Sequence, residues 1–278
     1  LSWLHAREMP YDIVTDNEWH NEGVAAIQGY PIVTAGTHPE YHTVETLDAL
    51  LEYRNSGGFL SYLGGNGVYW KIARQDQDPD ILEIRRAEDG IRAWASEPGE
   101  YYNSFDGKYG GLWRRNGRPP QQLVGVGFTA QGTFIGMPYK RSSYDPAMDW
   151  VFESIETKIL GDFGFSGNGA AGFELDRVDP FLDEGHDIEI LAQSYDTERD
   201  FMLVPEEQLT HLTNISGHSE DYVRRADMIY FEVEGGGSVF STGSITFCGS
   251  LPWNNFDNNI SKLLLNIFAK RLGPFKIK

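Results

Sequence analysis

The sequence is short of cysteine, of positive charge and of long apolar runs. Its single cysteine, Cys248, excludes an internal disulfide framework and a cysteine-built zinc site. One thiol is compatible with a reducing compartment, and a cytoplasmic address is expected. Only 23 lysines and arginines oppose 41 aspartates and glutamates, for a net charge of −18. Such a chain repels polyanions, so neither nucleic acid nor an anionic membrane is an expected partner. No apolar run approaches the ~20 residues that cross a bilayer. The opening LSWLHAREMP has no basic stretch followed by an apolar core, so no signal peptide is expected. The missing initiator methionine points to a trimmed or absent start. No GxxxxGK[ST] phosphate loop, GxSxG serine elbow or DxDxDG calcium loop occurs. The glycine-rich GFSGNGAAG at 164–172 lacks dinucleotide-fingerprint spacing and reads as a loop.

What is present suits a folded α/β domain. Of the 278 residues, 40% are hydrophobic and 13% aromatic, ample for a buried core. Short strands are expected at Tyr11–Asp16, Tyr30–Gly36 and Phe59–Leu63. Thr43 reads as the N-cap of a helix running to about Asn55, with Val44, Leu47, Leu50 and Leu51 as its apolar stripe. Near-continuous apolar strands alternating with a helix predict a mostly parallel sheet flanked by helices. Residues 72–120 are polar and aromatic and read as an insertion of short strands and loops in a single domain spanning 1–278. Strand character returns at Gln121–Ala130, Ile188–Ser194, Met228–Val233 and Ser238–Gly249. Trp150–Leu160 suits an edge strand or short helix. The acidic stretch Glu174–Asp187 reads as a solvated loop, with an incidental cation site as the alternative. Asn258–Leu272 is expected to be a helix burying Ile260, Leu263, Leu264, Ile267 and Phe268, followed by Pro274.

Parallel sheets place ligands at the carboxyl ends of their strands. Three polar segments follow the first strands: Asp16–His20, Thr37–His42 and Gly64–Asn66. Imidazole and carboxylate side chains suit acid–base work or a metal, which makes His38, Glu40 and His20 candidate catalytic groups. Strand alternation separates His38 with Glu40 from Tyr41. Tyr41 is either a metal ligand through its phenolate or a packing residue with one hydrogen bond. Asn66, Trp113 and Arg114 are candidate substrate contacts. Arg114 would grip a carboxylate beside an aromatic wall, or pair with the surplus acids. Cys248 is expected inside an apolar strand, ITFCG, and reads as an inert buried thiol.

Four blocks occur in a recognisable order: YDIVTDNEWHNEG at 11–23, GTHPEYHT at 36–43, YGGLWRRNGRPPQQLVGVGFTAQG at 109–132 and VFSTGSITFCGSLPWNNFDNN at 239–259. Over nearly its whole length the chain resembles the C-terminal half of the large subunit of N,N-dimethylformamidases. The resemblance implies a fold like that of class I glutamine amidotransferases (flavodoxin-like). In that fold a nucleophilic cysteine occupies the turn where this chain has Asn66. It also implies hydrolysis of N-substituted formamides to formate and an amine, a small partner subunit, homo-oligomers, and one iron held by two tyrosines and a glutamate. Tyr41 matches one tyrosine, and the other falls at or before Leu1. Lys108 stands where the glutamate is placed, and Glu97, Glu100 or Asp106 would replace it only if the loop shifts. The alternative is a non-catalytic domain of this fold binding a small ligand or a partner subunit.

Overall fold

The computed structural model describes residues 1–78, 80–89, 99–194, 201–206 and 220–273; Glu97 and Pro274 lie outside them. Chain order begins with α1 (Ser2–Ala6) and α2 (Asp16–Glu22), then β1 (Ile32–Thr37), β2 (Tyr41–His42), α3 (Val44–Asn55) and β3 (Phe59–Gly64). The polar middle supplies β4 (Trp70–Arg74), β5 (Leu82–Ile84) and α4 (Pro120–Val124). Then come β6 (Gly127–Met137), β7 (Tyr139–Arg141), β8 (Ile159–Leu160), β9 (Ala171–Arg177), β10 (Glu189–Gln193) and β11 (Phe201–Leu203). The chain continues through α5 (Glu220–Val223), β12 (Asp227–Glu232), β13 (Ser238–Ser241), α6 (Phe247–Ser250) and α7 (Asn259–Leu272).

The main sheet has seven strands in the order β1-β3-β13-β12-β10-β7-β8. It is mixed rather than mostly parallel. Only the β1–β3 and β3–β13 pairs run parallel, and the other four pairs are antiparallel. The β12–β13 connection is a tight glycine turn at 235–237, and a chain that returns so quickly must reverse direction. Two three-stranded sheets accompany it, β11-β6-β9 and β2-β4-β5.

Local chemistry explains most elements. Thr43 caps α3 by accepting the Thr46 N–H, and the helix ends at Asn55 as its stripe predicts. Asn258 caps α7 through the Ser261 N–H, and Ile260, Leu263, Leu264, Ile267 and Phe268 are buried. α7 also receives the first helix, because Trp3 Nε1 donates to Ser261 Oγ at 2.8 Å.

Several expected elements differ, among them Ser238–Gly249, where β13 stops at Ser241 and Cys248 lies on the short helix α6 rather than in a strand. Tyr11–Asp16 is not a strand: Thr15 forms a capping box with Glu18, which starts α2 at Asp16. Pro119 and Pro120 open α4 ahead of β6, so the expected strand at Gln121 begins six residues later, at Gly127. The acidic run is not a solvated loop at its start, because Glu174–Arg177 forms the end of β9, with Asp176 and Arg177 buried. Trp150 lies in a 3-10 turn, Pro146–Phe152, ahead of β8.

Candidate active site at the strand tips

The parallel register sets Thr37 beside Gly64, so the chain leaves β1 and β3 at one place. The crowding there is severe. A Cβ on Gly64 would lie 2.5 Å from the Thr37 carbonyl oxygen, and one on Gly65 would lie 2.8 Å from the carbonyl oxygen of Glu174. Glycine at 64 lets β1 lie tight against β3, and glycine at 65 lets β9 pass across its end. The next residue, Asn66, turns back at φ +52° with its side chain 3% exposed. Asparagine tolerates this left-handed conformation better than most residues.

His38, Glu40, Asn66 and Glu174 converge at this point. His38 Nε2 lies 3.0 Å from Glu174 Oε2 and 3.2 Å from Glu40 Oε2. The Asn66 amide nitrogen lies 3.2 Å from the same His38 nitrogen. Glu174, then Glu40, raise the His38 pKa to about 10 against the opposing effect of burial. His38 is thus an imidazolium at neutral pH: a proton donor rather than the base its residue type suggested. A protonated Nε2 facing an amide nitrogen sets donor against donor, so the Asn66 amide is best assigned with its oxygen toward His38.

Behind this cluster lies a buried carboxyl. Asp176, fully buried, accepts the Asn66 backbone N–H at 2.7 Å and the Tyr62 hydroxyl at 2.8 Å. Tyr62 in turn accepts the Gly67 N–H at 2.7 Å. Burial lifts the Asp176 pKa to about 7 despite these donors, and burial likewise pushes the Tyr62 phenol well up. Sequence reasoning missed Glu174, Asp176 and Tyr62. The signal was the alternation FELDR, in which Glu174 and Asp176 fall two apart and so share one face of a strand.

Tyr41 and His20 belong to a different surface. Tyr41, 44% exposed, lines a groove of about 340 Å³ with His20, Thr43, Arg74, Leu82 and Ile84. His20 Nδ1 lies 2.8 Å from Thr43 Oγ1 and 3.4 Å from Glu45, and burial lowers its pKa. The neighbouring His42 is buried, pairs through Nε2 with the Pro39 carbonyl, and is held neutral by burial, its pKa down to about 4. Glu40 and Tyr41 thus face different surfaces, as alternation along an extended segment requires.

Trp113 and Arg114 join neither group. Trp113 is 1% exposed in the core beside Leu123 and Val124. Arg114 Nη2 donates to the Glu206 carbonyl at 3.0 Å.

The donor set around Tyr41 does not fit the implied iron. Its groove holds the carboxylates of Asp16 and Glu83, but Glu83 already accepts from Arg85, Ser104 and the Phe105 N–H, and the Arg74 guanidinium beside them opposes a cation. Lys108 is exposed on a turn, and its own backbone N–H donates to Asp106 Oδ1. Asp106 Oδ2 is held at 2.9 Å by the buried ammonium of Lys71, so Asp106 is committed as well. Among the described residues, no three His, Cys, Asp or Glu side chains are grouped to hold a metal ion.

Comparison with known proteins supplies the family. The family described as "N,N-dimethylformamidase beta subunit-like, C-terminal" matches residues 1–259. The N,N-dimethylformamidase beta subunit of Paracoccus aminophilus is 35% identical over 276 residues, which cover 97% of this chain and 36% of that protein. The beta subunit of the same name from an Alcaligenes species is 35% identical over 273 residues, covering 96% of this chain and 35% of its own. The chain therefore spans about a third of the length of these curated relatives. With a match running from its first residue through Asn259 and two relatives aligned almost end to end, the chain belongs to the N,N-dimethylformamidase beta subunit-like C-terminal family.

Proposed function

We propose that this chain is part of an enzyme that hydrolyses the C–N bond of a small N-substituted formamide or amide. The observation that carries the reading is the convergence of one imidazolium and two carboxylates at the ends of β1 and β3. Family membership supplies the reaction class, since both relatives are named N,N-dimethylformamidase. Their name, beta subunit, supports assembly with a further subunit as part of the same proposal.

Amide hydrolysis needs a base for the attacking water and an acid for the departing nitrogen. In this reading a carboxylate, Glu174 or Glu40, takes a proton as the water oxygen bonds to the carbonyl carbon. His38 gives its Nε2 proton to the amine nitrogen as the C–N bond breaks. The carboxylate then returns its proton to the imidazole, which restores the starting state. Asn66 holds the imidazolium in place. No step passes through a metal, because the residues around Tyr41 do not make a fitting site.

The test is incubation of the purified protein with a series of N-substituted formamides, with formate and amine both quantified. Glu174→Gln and His38→Gln should each lower kcat by ~10²–10⁴-fold, the usual contribution of a positioned acid or base. Unaltered rates in both variants, or no product from any amide, would overturn the reading.

A further inference from the structure

We infer that Asp176 and Tyr62 are positioning residues, a buried clamp that fixes the Asn66 turn and through it the site at His38. The catalytic consequence rests on the amide-hydrolase reading; the clamp itself does not. The geometry is closed on every side. Asp176 sits on β9 and reaches the end of β3, where its two oxygens accept the Asn66 N–H and the Tyr62 hydroxyl. The Tyr62 oxygen spends its acceptor capacity on the Gly67 N–H, so consecutive backbone amides of the turn end on one hydrogen-bonded unit. The chain needs such a hold. Asn66 lies at φ +52° and the β-branched Val68 at φ +53°, a pair of left-handed placements that persist only where surrounding structure enforces them.

The clamp touches nothing that faces solvent. Both Tyr62 and Asp176 are at most 1% exposed. The charged and titratable groups that face Asp176 are Tyr62 from β3, Glu174 from β9, His38 beyond β1 and Tyr139 from β7. Of these, only His38 and Glu174 reach the candidate site directly. Asp176 therefore acts on the chemistry by holding Asn66, whose amide meets His38 at 3.2 Å.

The experiment compares wild type with Asp176→Ala, Asp176→Asn and Tyr62→Phe by backbone amide exchange and by amide turnover. Asp176→Ala and Tyr62→Phe should speed exchange at Asn66 and Gly67 about tenfold or more, while β1 and β13 keep their protection. Asp176→Asn retains one acceptor oxygen and should restore part of the Asn66 protection. In turnover, Asp176→Ala should lose about 10²-fold in kcat with KM nearly unchanged, as expected for a misplaced catalytic group. Unchanged exchange in both Asp176→Ala and Tyr62→Phe would overturn the clamp. A loosened turn that leaves kcat intact would overturn the positioning role at His38. Should Asp176→Ala fail to fold, Tyr62→Phe decides. A wild type inactive on every amide removes the hydrolase reading and leaves the exchange result to judge the clamp.

Discussion

At the scale of single residues, the informative quantity is how two titrations of opposite charge type, one at the exposed His38 and one at the buried Asp176, depend on pH. His38 has a folded pKa of about 10, above its ordinary 6.5. Its stabilising contribution is therefore complete below pH 6.5 and is lost as the pH rises through 10. Removing Glu174, the largest cause of that shift, should bring the imidazole pKa down toward its ordinary value. NMR titration of the His38 ring in Glu174→Gln checks this. The melting temperatures of wild type and variant should differ most on the acid side and converge in alkali. Asp176 is also raised, from 3.8 to about 7, because burial disfavours its charged form. Its contribution is complete below pH 3.8 and lost as the pH rises through 7, so it makes the folded chain less stable toward neutrality. Asp176→Asn lacks that titration. Its melting temperature should change less than that of wild type across this interval, and parallel melting curves at all pH values would contradict the assignment. The sequence showed His38, Glu40 and Asn66 because all three follow apolar strands. Glu174 and Asp176 were hidden because the six acids from 174 to 187 look like solvated chain when their pairing partner, β6, is far away in sequence.

At the scale of elements, the site depends on how closely β1, β3 and β9 approach. Gly64 lies opposite Thr37, and the space for a methyl group is already occupied by the Thr37 backbone. Backbone does not yield as a flexible side chain does, so Gly64→Ala should cost about 1–3 kcal/mol through overpacking. Urea unfolding measures this, and a midpoint within error of wild type would show that the strands slide apart freely. α7 offers a contrasting case far from the site. Leu264→Ala removes a side chain that is 1% exposed and should cost about 2–5 kcal/mol, without changing the His38 titration. Both helices with a strong cap and stripe, α3 and α7, were legible from local signals. Strand direction was not: β10 and β12 carry apolar runs like those of parallel strands, and only their turns and partners reverse them.

At the scale of the whole molecule, the net charge of −18 bears directly on the metal expectation. A surface this acidic gathers divalent and trivalent cations loosely, so retained metal alone says little about a site. A specific iron centre at Tyr41 would survive dialysis at high ionic strength, hold a stoichiometric amount, and vanish in Tyr41→Phe. The donors at hand do not assemble it: Glu83 in the groove is taken up by Arg85 and Ser104, Arg74 sits beside it, and Lys108 stands at the position the resemblance gives to a carboxylate. Residues 1–278 should therefore retain well under one iron per chain after such dialysis, equally in wild type and in Tyr41→Phe, by elemental analysis. Stoichiometric iron lost on that single substitution would show instead that donors from elsewhere in a longer polypeptide are not required. The chemistry would then belong to the groove and not to the carboxylates at His38. Iron found in that way would favour the groove over the other of the two surfaces that the alternation at Glu40 and Tyr41 keeps apart.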